Sequence, residues 1–535
     1  MRAYWPEYLF GLVLLLHLLP IWALSHFPTT DGPAHVYNAW LLKLLLTEPQ
    51  HPFHQYLAIN SVPVPNYLTS VLLAGALQVL PAWVAEKVVQ TLFVMGLPLA
   101  VRYALRAWHS DTGFLAFLSF PLIYSAVFQL GFYNFCLSLV LLMTVLGYWR
   151  RHFYRRVVGA HYVVGLAVLF VLLYFAHPLT YLLAGLVLGV FLLGASWGGH
   201  PKLAANRQMA TFRTGFLPLL LACLPSLLLL GWWLLQPAAE QQLSLPPPGI
   251  GQLLHDWLLL EPLRFMGSVE GTYRLLLAAL LFGLVAYVVW QHWQRKVAGG
   301  MVWGGIIGML LLGYVFLPDA LLGGSIIRPR LGLLSYLFVL GLLGAGHYPV
   351  WLRHAVVCAT VVVAVLLLSF RFTKYRTWAT GLVEYQAAAP YLRPGTSVVS
   401  FTYGPALRMP NGKEYRSYID VFSHAASYLS VDRQLLDLEN YEAHTGYFPL
   451  VWRPGQELVL EQATHPARAH WSVYPHPQWP KYIVVWARSE HPQPSAQAQE
   501  LTTHLRHNYR LVFISQTGLL ELYEYKLGSG FSNSR

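Results

Sequence analysis

The chain has 535 residues, 56% of them hydrophobic and only 11% charged, with a mean hydropathy of +0.47. Soluble domains carry about 25% charged residues, so these totals exclude a water-soluble globular protein for most of the length. The formal net charge of +12 belongs to basic loops that orient a membrane protein and is not a nucleic-acid footprint.

Apolar runs recur near 8–25, 67–81, 84–106, 114–129, 131–149, 162–177, 179–196, 215–235, 273–292, 301–317, 331–347 and 355–371. A spanning helix needs about 20 residues, and most of these runs qualify. The first follows Met1-Arg2 and is long for a signal peptide, so it reads as a retained helix with its amino end inside. Arg150-Arg151-His152-Phe153-Tyr154-Arg155-Arg156 marks a cytoplasmic loop, Lys202, Arg207 and Arg213 a second, and Arg295-Lys296 a third. Counting from these anchors places the turn at His177-Pro178, the loop 237–272, the loop Leu317–Arg330 and everything after 372 on the outside. The two ends then lie on opposite faces, which requires an odd number of crossings. The run 67–81, bounded by Pro65 and Pro81, is assigned to the outer surface or to a half-inserted helix. About eleven crossings result, thirteen if one was missed, and the first external segment extends from about 26 to 83.

After Arg371 the composition becomes that of a soluble domain: thirteen of the 23 acidic residues fall in 373–535. Strand-like runs (Ser397–Phe401, Tyr482–Ala487, Leu511–Ser515, Leu519–Tyr525) alternate with helix-like ones (Thr380–Leu392, His424–Leu436, Ala496–Arg506). This predicts a C-terminal extracytoplasmic α/β domain over 373–535, following a polytopic α-helical membrane domain over 1–372. Pro246-Pro247-Pro248 and Pro475–Pro480 punctuate loops. Cys136, Cys223 and Cys358 all sit in apolar runs and serve packing, with neither a disulfide frame nor a metal knuckle between them.

No GxxxxGK[ST] loop, GxGxxG turn or HExxH helix occurs, and no Asp-x-Asp pair suits a soluble nucleotide-sugar enzyme. An enzyme built this way takes its activated substrate through the membrane. The sharpest candidate stretch is Thr29-Thr30-Asp31-Gly32-Pro33-Ala34-His35, directly after the first apolar run. Pro33 suits a first helical turn, so a helix should run from here through Trp40 to Leu46. Two roles fit Asp31: an N-cap for that helix, or an ionised carboxylate at the membrane face, favoured by the helix dipole and suited to proton abstraction. His35 lies four residues on.

Arg328-Pro329-Arg330, preceded by Asp319 and Gly323-Gly324, runs against the positive-inside tendency. Arginine's planar fork matches phosphate oxygens, although pairing with Asp319 or with lipid headgroups is the alternative. Gly131-Phe132-Tyr133-Asn134 and His177-Pro178 sit at other external helix ends, where Tyr133, Asn134 and His177 could line a polar pocket. Asp256 and Glu261 are loop carboxylates able to reach over such a site or simply to face water. In the soluble domain, Asp420-Val421-Phe422-Ser423-His424 and Asn440-Tyr441-Glu442-Ala443-His444 are polar-aromatic clusters that could bind sugar or form ordinary turns.

This pattern resembles the integral-membrane glycosyltransferases of the GT-C fold, most closely the bacterial members related to protein mannosyltransferases and to aminoarabinose transferases of lipid A. The resemblance rests on the architecture of the whole chain and on Thr30-Asp31-Gly32-Pro33-Ala34-His35 in the first external loop. Gly32 stands where the commoner family pattern has a second acidic residue. No metal ligands are read from the residues and no cofactor is certain; a divalent metal remains possible.

The resemblance implies a polyprenyl-phosphate-linked sugar donor, hexosyl or pentosyl, and a lipid, protein or polysaccharide acceptor on the outer face of the inner (plasma) membrane. Membrane lipids are the other partners and nucleic acid is none. It also implies Asp31 as general base, inversion at the anomeric carbon, Arg328 and Arg330 on the leaving phosphate, and His35 orienting Asp31 or touching the acceptor. Competing readings are a transporter or flippase for lipid-linked saccharides and a non-catalytic envelope assembly protein. A transporter would more naturally carry mid-membrane charges in two related halves, which the sequence lacks.

Overall fold

A computed structural model describes residues 5–155, 159–197, 211–236, 248–266, 268–295, 299–321, 324–404, 407–409, 411–415, 417, 419–456, 480–488 and 496–526. Arg156, Lys202, Arg207, Pro246, Pro247, Lys296, Gly323 and residues 475–479, singled out above, lie outside the described residues. The chain divides into two compact units. The first comprises Met1–Ala23, Ser61–Thr69 and Lys87–Phe372, and the second Leu24–Asn60, Ser70–Glu86 and Thr373–Arg535.

The first unit is helical. Among the described residues six helices are long and apolar enough to cross a membrane: Trp5–Ala23, Ala82–Trp108, Pro178–Ser196, Phe212–Leu234, Glu270–Gln294 and Val350–Tyr391. Ala160–Ala176 and Gly300–Phe316 are shorter apolar helices. Large apolar side chains stay outside the fold on these helices, Leu228 at 68%, Trp293 at 84% and Leu312 at 61% exposure. Surfaces of that kind persist where lipid is the solvent, and the chain is a multi-pass membrane protein.

Two apolar runs fold differently from a regular crossing. Residues 68–76 form a helix of nine residues (Leu68–Ala76), about 14 Å at 1.5 Å per residue, roughly half the hydrocarbon thickness. The run 114–129, expected as one spanning helix, is instead a 3-10 helix Ser110–Ser119 followed by the one-turn helices Phe120–Ile123 and Ala126–Gln129. The break lies at Tyr124 and Ser125, where the backbone leaves helical geometry (φ −83°, ψ 58° and φ −80°, ψ 168°), while Pro121 sits in the first turn of Phe120–Ile123, where its missing N–H is tolerated. Residues 115–129 are all buried, as irregular backbone at membrane depth must be.

A buried ion pair ties this unit together. Arg371 Nη2 lies 2.6 Å from Glu270 Oε1, with the two side chains 2% and 0% exposed. Glu270 Oε2 accepts from the backbone N–H of Met266 at 2.9 Å, and Arg371 stacks over Phe265 at 4.8 Å.

The second unit contains a five-stranded mixed sheet built from β1 (Ser397–Thr402), β2 (Leu436–Asp437), β3 (Tyr482–Trp486), β4 (Tyr509–Ile514) and β5 (Leu520–Tyr525), in the spatial order β2-β1-β3-β5-β4. The central strands β1 and β3 pair in parallel, and both are almost wholly buried, as befits strands covered on both faces. Strand β3 meets β5 antiparallel in the register Val484↔Leu522. Phe422 stacks on Trp486 of β3 with ring centres 4.7 Å apart, closing one face. Early residues join this unit: Leu57–Ile59 pairs antiparallel with Leu450–Trp452, and the helix Gly32–Thr47 packs against the helix Ala426–Arg433.

Candidate functional site

The helix Gly32–Thr47 begins where Pro33 predicts, with Asp31 at its N-cap position. The Asp31 carbonyl accepts from the His35 N–H at 2.9 Å, but its side chain makes no cap hydrogen bond. The carboxylate is therefore not engaged in the capping role that its position suggests.

Asp31, His35 and Asn38 are spaced i, i+4 and i+7, so they share one helix face. Each meets a different residue of the segment 424–442. Asp31 Oδ1 lies 3.7 Å from His424 Nε2, and Tyr441 hydrogen-bonds to the same carboxyl. His35 Nδ1 lies 2.5 Å from Glu442 Oε1, with side-chain exposures of 6% and 0%. Asn38 and Asn440 exchange amide hydrogen bonds, both at 2.9 Å. Between them Tyr37 donates to the Leu435 carbonyl and accepts from the Asp437 N–H, again at 2.9 Å. The helix start is thus held to the second half of the chain by a row of polar contacts.

His424 is the centre of the arrangement. Its Nδ1 is 3.1 Å from Glu439 Oε1, and Glu439 also accepts from Ser400 Oγ and donates its N–H to Asp437 Oδ1. Tyr441 packs against the imidazole with ring centres 4.9 Å apart. Burial alone would lower the His424 pKa. The hydrogen bond and charge of Glu439, with the charges of Asp31 and Asp437, outweigh it and raise the imidazole to about 9. His424 is accordingly a cation at neutral pH, flanked by two carboxylates. Burial raises the Asp31 pKa, opposed by His424 and His35 and reinforced by Glu442. Burial and the charge of Glu439 lift Asp437 to about 7. A partly buried carboxylate of raised basicity, still 17% exposed and steered by a fixed cation, is equipped to take a proton from a neutral hydroxyl.

The arginine pair belongs to the first unit. Asp319 does not pair with the Arg328 guanidinium; its carboxylate accepts the Arg328 backbone N–H at 2.8 Å, and its carbonyl accepts from Ile327. Asp319 so satisfies the start of the helix Ile327–Leu343. Arg328 Nε is buried without a hydrogen-bond partner among the described residues. Arg330 is positioned by residues far from it in sequence, among them the expected His177 and Phe132: Nη1 lies 3.1 Å from His177 Nε2, and the guanidinium sits 4.4 Å over the Phe132 ring and 5.6 Å from that of Phe135.

Tyr133 and Asn134 lie in the same stretch but are occupied. Tyr133 accepts from Gln90 at 2.8 Å and is 1% exposed. Asn134 accepts from the Thr69 N–H and donates to the Asn66 carbonyl, both at 2.9 Å, bracing the chain at the left-handed residue Asn66. Glu261 pairs with Arg264 and Arg274, and Asp256 accepts from Gln252. Among the described residues no group of three or more His, Cys, Asp and Glu side chains is placed to hold a metal ion. The groups around Asp31 are the His424 imidazole, the Tyr441 phenol and the His35–Glu442 pair.

Sequence reasoning named both polar-aromatic clusters but not their convergence. His424 and Tyr441 meet Asp31, and Glu442 meets His35, across some 390–410 positions of chain, a separation on which local pattern is silent.

No protein-family model and no curated protein matches the sequence. Solved structures do match. ArnT from Cupriavidus metallidurans bound to undecaprenyl phosphate is 13% identical with a TM-score of 0.51, over 100% of both chains. ArnT from the same organism in the apo state is 12% identical with a TM-score of 0.49, over 97% of both. The arabinofuranosyltransferase AftD from Mycobacteria is 13% identical with a TM-score of 0.48, over 99% of this chain and 40% of its own. The fold of this chain is that of the GT-C membrane glycosyltransferases.

Proposed function

We propose that this chain is a membrane glycosyltransferase that moves a sugar from a polyprenyl-phosphate-linked donor to an acceptor hydroxyl on the outer face of the inner membrane. The observation that carries the reading is the Asp31 carboxylate: it stands at a helix start without capping it, partly exposed, and faces a fixed imidazolium. The GT-C fold supports the reaction class, and the undecaprenyl phosphate in the ArnT structure supports the donor class.

In this mechanism Asp31 takes the proton of the acceptor hydroxyl. The acceptor oxygen bonds to the anomeric carbon from the face opposite the phosphate. The bond from that carbon to the phosphate oxygen breaks, and its electron pair leaves with the polyprenyl phosphate, so configuration inverts. His424 holds the carboxylate in place, and its charge keeps Asp31 ionised between turnovers. Glu439 holds the imidazole from behind. Arg330, braced by His177 and Phe132, and Arg328 receive the charge that develops on the leaving phosphate, where fixed guanidinium donors act on the transition state. Asn134 acts by holding the backbone at Asn66 and Thr69, and Tyr133 by holding the Gln90 side chain. No step runs through a metal. The amino terminus is cytoplasmic, the chain crosses an odd number of times, and residues 373–535 are extracytoplasmic.

The test is reconstitution in liposomes with a radiolabelled polyprenyl-phosphate-linked sugar and an extract of envelope acceptors. Label should move to the acceptor with release of polyprenyl phosphate, and a deletion strain should accumulate the lipid-linked sugar. Intact lipid-linked saccharide crossing the bilayer without cleavage would establish a transporter instead.

A further inference from the structure

The first unit has a cavity of about 540 Å³ that the proposed reaction does not use, lined by His109, Asp111, Tyr287, Gln291, His347 and Arg353 among others. Its size falls within the range of small-ligand sites. The walls come from the end of the helix Ala82–Trp108, from the helix Ser268–Arg295 and from the connection before the helix Val350–Gln386. That connection is pinned. Gln291 accepts from the His347 N–H at 2.9 Å and donates to the His347 carbonyl at 2.6 Å, while Arg353 Nε donates to the Tyr348 carbonyl at 2.9 Å. These bonds fix backbone and engage only Nε of Arg353; its Nη atoms reach toward Asp111 Oδ2 at 3.4 and 3.5 Å, and His347 and Arg353 both line the cavity.

The cavity's charge is positive and only loosely compensated. Arg353 has Asp111 at 3.4 Å, but that carboxylate is 72% exposed, and such surface pairs contribute little. Arg150, over the Trp108 ring at 5.7 Å, adds its charge to the same corner. His109 feels the result: burial and the charges of Arg150 and His347 lower its pKa, a local potential that a bound anion relieves.

Depth is set by indole rings. Trp290, Trp293 and Trp351 are 54%, 84% and 70% exposed, and they adjoin the lining residues Gln291 and Arg353 in sequence. Exposed tryptophans gather at the membrane–water interface, so a ligand here lies at headgroup level, with apolar surface beside it.

We infer that this cavity binds a phosphate anion, with Arg353 as the planar fork and His109 and His347 as hydrogen-bond donors. The phosphate arrives on a lipid headgroup or free in solution, and the two sources separate by experiment.

The full-length protein in a neutral detergent is titrated with phosphatidylglycerol, with phosphatidylcholine and with inorganic phosphate, and its thermal midpoint is read by intrinsic fluorescence. Phosphatidylglycerol should raise the midpoint by at least about 3 °C more than phosphatidylcholine, as expected for a ligand that binds only the folded state. Arg353→Gln should remove that difference, and the double variant His109→Gln/His347→Gln, which leaves the Tyr348 contact and the Gln291 clamp intact, should at least halve it. An equal rise with inorganic phosphate that is lost in the same variants assigns the site to a free phosphate. Equal responses to the two lipids and none to phosphate, or undiminished responses in the double variant, overturn the site.

Discussion

Asp31 and His424 are 393 positions apart in the chain and 3.7 Å apart in space, carboxylate oxygen to imidazole nitrogen. Asp31 does not cap the helix that it precedes, and His424 is a partly buried cation held between two carboxylates. The pair is a preorganised unit: a basic carboxylate, a cation that aims it, and Glu439 behind to keep that cation charged.

Asp31→Asn should abolish sugar transfer while leaving the fold in place. Loss of a functioning cap costs about 1 kcal/mol, and Asp31 makes no cap bond, so the melting temperature should stay within about 2 °C of the wild type. Loss of a general base lowers the rate by about 10²–10⁴. Transfer of labelled sugar and a thermal melt on one preparation check both halves, and a fully active Asp31→Asn protein removes the residue from the base role.

The stability of the protein should fall as pH rises. His424 has a folded pKa raised to about 9 against an ordinary value near 6.5. Its contribution is fully present below about pH 6.5 and is lost as pH climbs through 9. Asp437, raised to about 7, acts in the same direction from about pH 4 to 7, because in both cases the folded state binds the proton more tightly. The His424 shift corresponds to a few kcal/mol, on the order of 3. Unfolding midpoints measured from pH 5 to pH 9.5 should therefore drop steadily, and His424→Gln should flatten the curve between 6.5 and 9. A level profile in the wild type would contradict the charged imidazole.

The sequence carried much of this arrangement wherever the signal is local. Pro33 marks the start of the helix Gly32–Thr47, and the four strand-like runs after Arg371 fold as the four longer strands of the five-stranded sheet. The short strand Leu436–Asp437 was missed because two residues have no period. The run 114–129 differs from the expected single span because hydropathy reports burial and is blind to the break at Tyr124 and Ser125. Thr380–Leu392 read as a separate helix because composition changes at Arg371, yet the helix continues unbroken from Val350 to Gln386; a change of solvent is not a change of backbone. The partners of Asp31 and His35 come from the other end of the chain, where Asp420–His424 and Asn440–His444 read equally as sugar-binding clusters or as ordinary turns.

Arg328 should matter to transfer more than to folding. Its neighbour Asp319 holds the backbone and not the guanidinium, so Arg328→Ala removes no ion pair with Asp319. Removal of one fixed donor to a developing anion costs about 10²–10³ in rate. Arg330→Lys should show a different pattern, because the ammonium cannot reproduce the planar stack over Phe132. Kinetics with varied donor concentration check this: a variant with normal donor affinity and turnover would detach the arginines from the phosphate.

The strongest dependence of folding on a single charge should lie elsewhere, at Glu270 and Arg371. Both are buried, at 0% and 2% exposure, and the carboxylate also holds the backbone N–H of Met266. A buried pair is costly to desolvate, so its presence adds little net stability; breaking it strands one charge without compensation. Glu270→Ala should thus destabilise the protein by about 3–5 kcal/mol and reduce its yield from membranes. The double variant Glu270→Gln/Arg371→Met removes both charges, keeps an acceptor for Met266 and should recover much of that loss. Unfolding midpoints of the wild type, the single and the double variant in the same detergent give the comparison. If the double variant is as unstable as Glu270→Ala, the pair acts through packing around Phe265 rather than through stranded charge.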